Sequence, residues 1–166
     1  DHLTVIGGRF EANSGDGLRL LNIEGAVLNQ TAFNLNHGSG LMLDNADGVH
    51  LEQASFTSNT VHGLHVEGSG QLLLRDSELA GNGEFGVVIN HSSRSAIRDN
   101  RVHHNGGAGT PSGGIWILGN STDNVLQANL IESHSDPQGA GVWIYGPSSS
   151  NLLFGNTFRS NQTGVR

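Results

Sequence analysis

The chain has 166 residues, no cysteine and a formal net charge of −7, and all eight of its basic residues are arginine. That balance argues against binding a nucleic-acid backbone, which needs clustered cations, and no apolar run approaches the ~20 residues of a membrane-spanning helix. The texture is even throughout, so we expect one domain over 1–166, read as a mature or excised part of a longer protein with no signal peptide of its own.

From the first residues onward the chain reads as short alternating runs. Leu3 and Val5 alternate, Phe10 and Asn13 follow, and Gly17 opens Leu18-Arg19-Leu20. The same order returns at Gly40, Gly63, Gly86, Gly114, Gly141 and Gly164, with spacings of 23, 23, 23, 28, 27 and 23 residues. Each glycine precedes a period-2 run such as Leu64-His65-Val66 or Ile115-Trp116-Ile117. An apolar residue stands seven places before it: Phe10, Phe33, Phe56, Leu79, Val102, Ile131 and Phe158. Three places further on come Asn13, Asn36, Asn59, Asn82 and Asn105, then His134, then Asn161.

A fixed period in this range signals a repeat architecture whose coils bury a core only by stacking. The predicted fold is all-β: a single-stranded parallel β-helix of about seven coils, with inward residues of like kind about 4.8 Å apart. Stacked asparagines would satisfy the turns, and each glycine would serve a positive φ or a close approach between coils. A leucine-rich repeat would need a helix in every repeat, which stretches such as Asn90-His91-Ser92-Ser93 do not supply.

The pattern Asn-x-x-x-Gly-[LV]-x-[LVI], as in Asn82-Gly83-Glu84-Phe85-Gly86-Val87-Val88-Ile89, resembles the right-handed parallel β-helix repeats of the pectin-lyase-like superfamily. That group includes pectate lyases, mannuronan C-5 epimerases and NosD-like proteins. The resemblance covers the whole chain and implies a right-handed solenoid. It further implies a polysaccharide partner lying along the strand after each glycine, and a secreted, periplasmic or cell-surface location.

Two coils carry insertions, both between the asparagine column and the glycine: residues 106–113 and 135–140. They should wall the strand that follows. The second residue after each glycine gives an outward stack of Arg19, Met42, His65, Val88, Trp116 and Trp143; the fourth gives Leu21, Asp44, Glu67, Asn90, Leu118 and Tyr145. We therefore expect a sugar-binding surface of Arg19, Asn90, Trp116 and Trp143, the indoles offering flat faces. The bland alternative packs the tryptophans beneath the loops as a satellite cluster. Removal of the proton at C-5 of a uronic acid needs a base, an acid and a neutraliser of the sugar carboxylate. His65 and Tyr145 are the base and acid candidates, Asp44 and Glu67 the supporting carboxylates. No cofactor is required by the sequence; calcium held by Asp44 and Glu67 is a candidate.

The epimerases carry an Asp-Pro-His-[Glu/Asp] motif, and the nearest string here is Asp136-Pro137-Gln138-Gly139. Glutamine replaces histidine and the string lies in an insertion, so Asp136 is kept as a substrate-binding candidate and epimerase chemistry is not carried onto it. A second cluster, His103, His104, Glu132, His134 and Arg159, reads as a surface charge ladder of little energetic weight, with His134 continuing the asparagine column.

The expected function is a carbohydrate-active module on an extracellular, uronate-containing polysaccharide, of lyase or C-5 epimerase type, with a hydrolase less favoured. The alternative is a non-catalytic rod in a surface protein, phage tail fibre or larger assembly, its ends covered by flanking domains or oligomer partners.

Overall fold

The computed structural model describes residues 2–107, 111–134, 137 and 139–166. Twenty-one strands and no helix occur among them. They form three parallel sheets of seven strands, and each coil contributes one strand to each sheet. We number the coils 1–7 by their glycines, Gly17 to Gly164. The first sheet runs from Leu3–Ile6 to Leu152–Phe154, the second from Arg9–Glu11 to Thr157–Arg159, and the third from Leu18–Glu24 to Thr163–Val165.

Register follows the columns of the sequence. Phe10 pairs with Phe33, Leu79 lies between Phe56 and Val102, and Ile131 between Val102 and Phe158. The rings of Phe10, Phe33 and Phe56 stack inside the solenoid with centroids 5.2 and 4.9 Å apart. Leu41, Leu64, Val87, Ile115 and Val142 form a second inner column, fully buried. Such columns are what a single coil cannot bury by itself.

Six of the seven recurrent glycines, Gly17 to Gly141, owe their place to crowding, and none to φ. None of the seven lies in the left-handed region. A Cβ on Gly40 would sit 2.7 Å from Gly63 O and 2.9 Å from Asn59 Nδ2, so the corner has no room for any side chain. Left-handed residues occur elsewhere, at the corner after each second-sheet strand: Ala12, Leu35, Ser58, Gly81, His104, Ser133 and Ser160. Most are not glycine, and each such residue costs roughly 1 kcal/mol or more. The corner amides offset this by bonding to the next coil, as Leu35 N–H does to Thr57 O at 3.0 Å.

The asparagine ladder forms as expected. The Nδ2 groups of Asn13, Asn36, Asn59 and Asn82 each donate to Oδ1 of the next asparagine at 2.8–2.9 Å. Further ladders escaped the sequence reading, among them Ser95, Asn124 and Asn151. Ser77, Asn100, Asn129 and Asn156 line one corner. Ser69, Ser92, Ser121 and Ser148 line another, each hydroxyl accepting from a backbone N–H of the preceding coil.

His134 occupies the ladder position of coil 6. Its Nδ1 lies 3.2 Å from both the N–H and the carbonyl oxygen of Asn105, and Nε2 is buried without a hydrogen-bond partner. Burial lowers its pKa to about 4. The sign of the consequence follows directly. The unfolded histidine takes up a proton near pH 6.5 and the folded one does not until about pH 4, so stability declines as the pH falls through that window. The loss amounts to about 3 kcal/mol at most. His134→Asn restores the ladder amide and is expected to move the acid-unfolding midpoint, followed by circular dichroism, to lower pH. An unchanged midpoint would show that His134 plays no part in acid lability.

Candidate functional site

The outer face of the third sheet carries the expected columns in the expected register. Arg19 pairs with Met42, Met42 with His65, His65 with Val88, Val88 with Trp116 and Trp116 with Trp143. Leu21, Asp44, Glu67, Asn90 and Leu118 align beside them, and Tyr145 N–H bonds back to Ile117 O. The face divides into two unlike halves.

Coils 1–4 form the polar half. Arg19 donates one N–H to Asp44 Oδ2 at 2.7 Å. Glu67 accepts from Asn90 Nδ2 at 2.7 Å, lies 3.2 Å from His91 Nδ1 and 3.8 Å from His65 Nε2. His65 stands at the centre. Burial pushes its pKa below the ordinary value; Glu67, Asp16 and Asp44 pull it up, and Arg19 pushes it down. A partly buried imidazole of this kind is uncharged near neutral pH and competent to accept a proton.

Coils 4–6 form the aromatic half, and there the expectation of flat indole faces is corrected. Trp116 stacks on Phe85 with centroids 5.0 Å apart and on Trp143 at 5.7 Å. The far face of Trp143 is covered by the Arg166 guanidinium, 4.7 Å from the ring centroid. All four indole faces are thereby occupied within the protein; both rings are half-buried, and Trp116 Nε1 is buried without a hydrogen-bond partner. Val88, expected to face outward, is buried beside this stack. Tyr145 remains 60 % exposed, edge-on to Trp143. The satellite-cluster alternative describes this half better than a platform does.

Register also separates the acid–base candidates. His65 and Tyr145 lie three strand steps apart, about 14 Å along the axis, so they do not meet one sugar ring. Asp44 and Glu67 are adjacent, but Asp44 is paired with Arg19 and Glu67 with Asn90. No group of three or more His, Asp or Glu side chains gathers as a cation-binding set among the described residues. This pair supplies at most four of the six to eight oxygens that a calcium ion takes. Asp136 lies outside the described residues.

Sequence reasoning missed the column just before each glycine: Asp16, Ser39, His62 and Phe85. Two of its side chains hang on the next coil, Asp16 Oδ1 accepting from Ser39 N–H at 2.8 Å and His62 Nδ1 from Phe85 N–H at 3.4 Å. The signal was present as a polar-to-aromatic column at constant spacing. His91 was missed as a turn residue, and it sits at a left-handed corner.

On the second sheet His103, Glu132 and Arg159 share a column, as expected. Glu132 is not a solvated rung. It is 6 % exposed and clamped by Arg101 at 3.0 Å and by Arg159. Hydrogen bonds from Arg159 and then Arg101 hold its carboxyl below the usual range. Three coils are tied together there, a structural role.

The comparisons with known proteins agree with this architecture. Residues 16–166 match the family described as "Right handed beta helix region". The chain belongs to the right-handed β-helix family. A search of curated proteins finds no match. Among solved structures, the mannuronan C-5 epimerase AlgE6 A-module of Azotobacter vinelandii superposes with a TM-score of 0.84 at 22% identity, over 97% of this chain and 49% of that one. The AlgE4 A-module of the same organism gives 0.75 at 14%, over 99% and 55%. A periplasmic alginate epimerase, AlgG, gives 0.53 at 12%, over 99% and 50%. This β-helix chain thus spans about half the length of those structures, and the likeness is one of fold. No helix among the described residues is long and apolar enough to cross a membrane.

Proposed function

We propose that the polar half of the third sheet binds an extended uronate-containing polysaccharide outside the cell and that His65 takes the proton from C-5 of a bound sugar. The observation carrying this reading is the setting of His65: a partly buried, uncharged imidazole with Arg19, Asp44 and Glu67 around it. The solved structures of like fold include enzymes named for mannuronan and alginate, whose sugars are uronates. Abstraction leaves the electron pair delocalised into the sugar carboxylate. The Arg19 guanidinium, with only one of its five N–H groups bonded to Asp44, is the group that offsets that charge. Return of a proton from the other face inverts C-5. Departure of the C-4 oxygen with its bonding pair instead gives an unsaturated sugar.

The test is incubation of the protein with polymannuronate, polyguluronate and polygalacturonate in deuterium oxide. We expect deuterium at C-5 in one of them, with or without the absorbance of an unsaturated uronate. Absence of exchange, product and binding in all three would overturn the reading and leave the structural rod, which the self-stacked aromatics already suit.

A further inference from the structure

One buried histidine has no part in the scheme above. His62 lies in coil 3, one residue before Gly63, and is 7 % exposed. Its Nδ1 accepts from Phe85 N–H at 3.4 Å, so its proton is on Nε2, which lies 3.6 Å from Glu84 Oε2. The ring is therefore held at Nδ1 by the backbone of the next coil, while the Glu84 carboxylate stands beyond hydrogen-bond distance of Nε2. Its flank meets Phe85 with centroids 6.1 Å apart, and it packs edge-to-face with His65 at 5.2 Å and 86°.

We propose that His62 is a positioning residue for His65, fixing the orientation of that ring and excluding water from one side of it. The proposal rests on the reading of His65 as the proton acceptor. Packing explains why this residue should be histidine and not another. Ser39 fills the same place in coil 2, but a serine does not reach the +2 column; Phe85 fills it in coil 4 and reaches that column only to stack on Trp116. Among these places, coil 3 is where a ring of intermediate size, bonded at Nδ1 and packed against Phe85, presses on a titratable neighbour. The charged and titratable groups around His65 are His62, Glu67, Asp16, Asp44 and Arg19; those facing His62 are His65 and Glu84. Burial keeps His62 itself uncharged, with a pKa near 3, so across the neutral range it acts by shape and by displacing water.

The test compares wild type with His62→Ser and His62→Gln, following the imidazole protons by NMR across pH together with C-5 exchange. Opening that side of His65 to water should raise its titration midpoint in both variants. The acid limb of the exchange profile should move up with it. In the same variants kcat should fall on the order of tenfold with KM unchanged. An unaltered His65 midpoint in a folded variant overturns the proposal. If both variants fail to fold, wild type decides. Cross-relaxation between the two rings and an Nε2–H tautomer of His62 down to pH 4 are required, and their absence is equally fatal. Because the NMR arm needs no substrate, it separates this proposal from the functional reading, which fails only if wild type shows no exchange.

Discussion

Replacing His65 by glutamine is expected to reduce C-5 exchange on the order of a hundred- to ten-thousand-fold, the usual contribution of a positioned general base. The fold should survive, because the side chain is 26 % exposed and its nearest charged partner, Glu67, stands 3.8 Å away. Melting curves that superpose on wild type, beside exchange that has vanished, are the expected pair. The pH dependence has a defined sign. Protonation removes the base, and the folded pKa lies below the ordinary histidine value, so the acid limb of the rate profile should fall below about pH 6.5. Exchange that persists at the wild-type rate in His65→Gln would move the base elsewhere on the face. Arg19→Gln is the companion variant, and loss there with His65 intact would locate the carboxylate subsite.

The largest stability effect is expected at the middle of the asparagine ladder. Asn82 Oδ1 accepts from both the backbone N–H and the Nδ2 of Asn59, while its own Nδ2 donates to Phe56 O and Asn105 Oδ1. Asn82→Ala would strand several buried polar groups at once, each worth about 1–3 kcal/mol. A total of roughly 4–6 kcal/mol would consume much of the stability of an ordinary domain. Asn13→Ala, at an exposed rung, removes an acceptor from no other asparagine and should cost about 1 kcal/mol. Urea denaturation midpoints measure both. Equal losses at the two positions would show that the ladder does not act as a buried network.

Register was readable because a solenoid applies the same constraint to the same place in every coil. Alignment on the glycines put His65 between Met42 and Val88 with no structural input, and Phe33 between Phe10 and Phe56. What periodicity does not encode is which way a ring faces. Trp116 and Trp143 were found at the right positions, yet their faces are spent on Phe85, on each other and on Arg166. Nor does it show that Val88 is covered, that Glu132 is enclosed between two arginines, or that His62 presses on His65. Those depend on the size and rotamer of one residue against a different residue a coil away. The glycines show the same limit. Their spacing was legible, but the reason for the first six, a carbonyl of the next coil within 3 Å of any Cβ, exists only once coils are stacked.

The asparagine ladder also gives the solenoid a direction. Backbone N–H groups of Asn13, Asn36, Asn59 and Asn82 all donate to the side-chain oxygen of the asparagine in the following coil. Each of these receiving oxygens is therefore turned toward the preceding coil, while the Nδ2 groups of Asn36, Asn59 and Asn82 donate both forward to the next Oδ1 and back to Phe10, Phe33 and Phe56 O. His134 obeys the same vector, offering Nδ1 backward to Asn105 and its own N–H forward to Asn161 Oδ1. The side-chain-to-side-chain bonds of this ladder all run one way. A coil can be added only in the same sense, oxygen to donor, and two stacks meeting like end to like end would set oxygen against oxygen or N–H against N–H. Inverted association is thereby disfavoured from inside the core, by groups that no surface substitution touches.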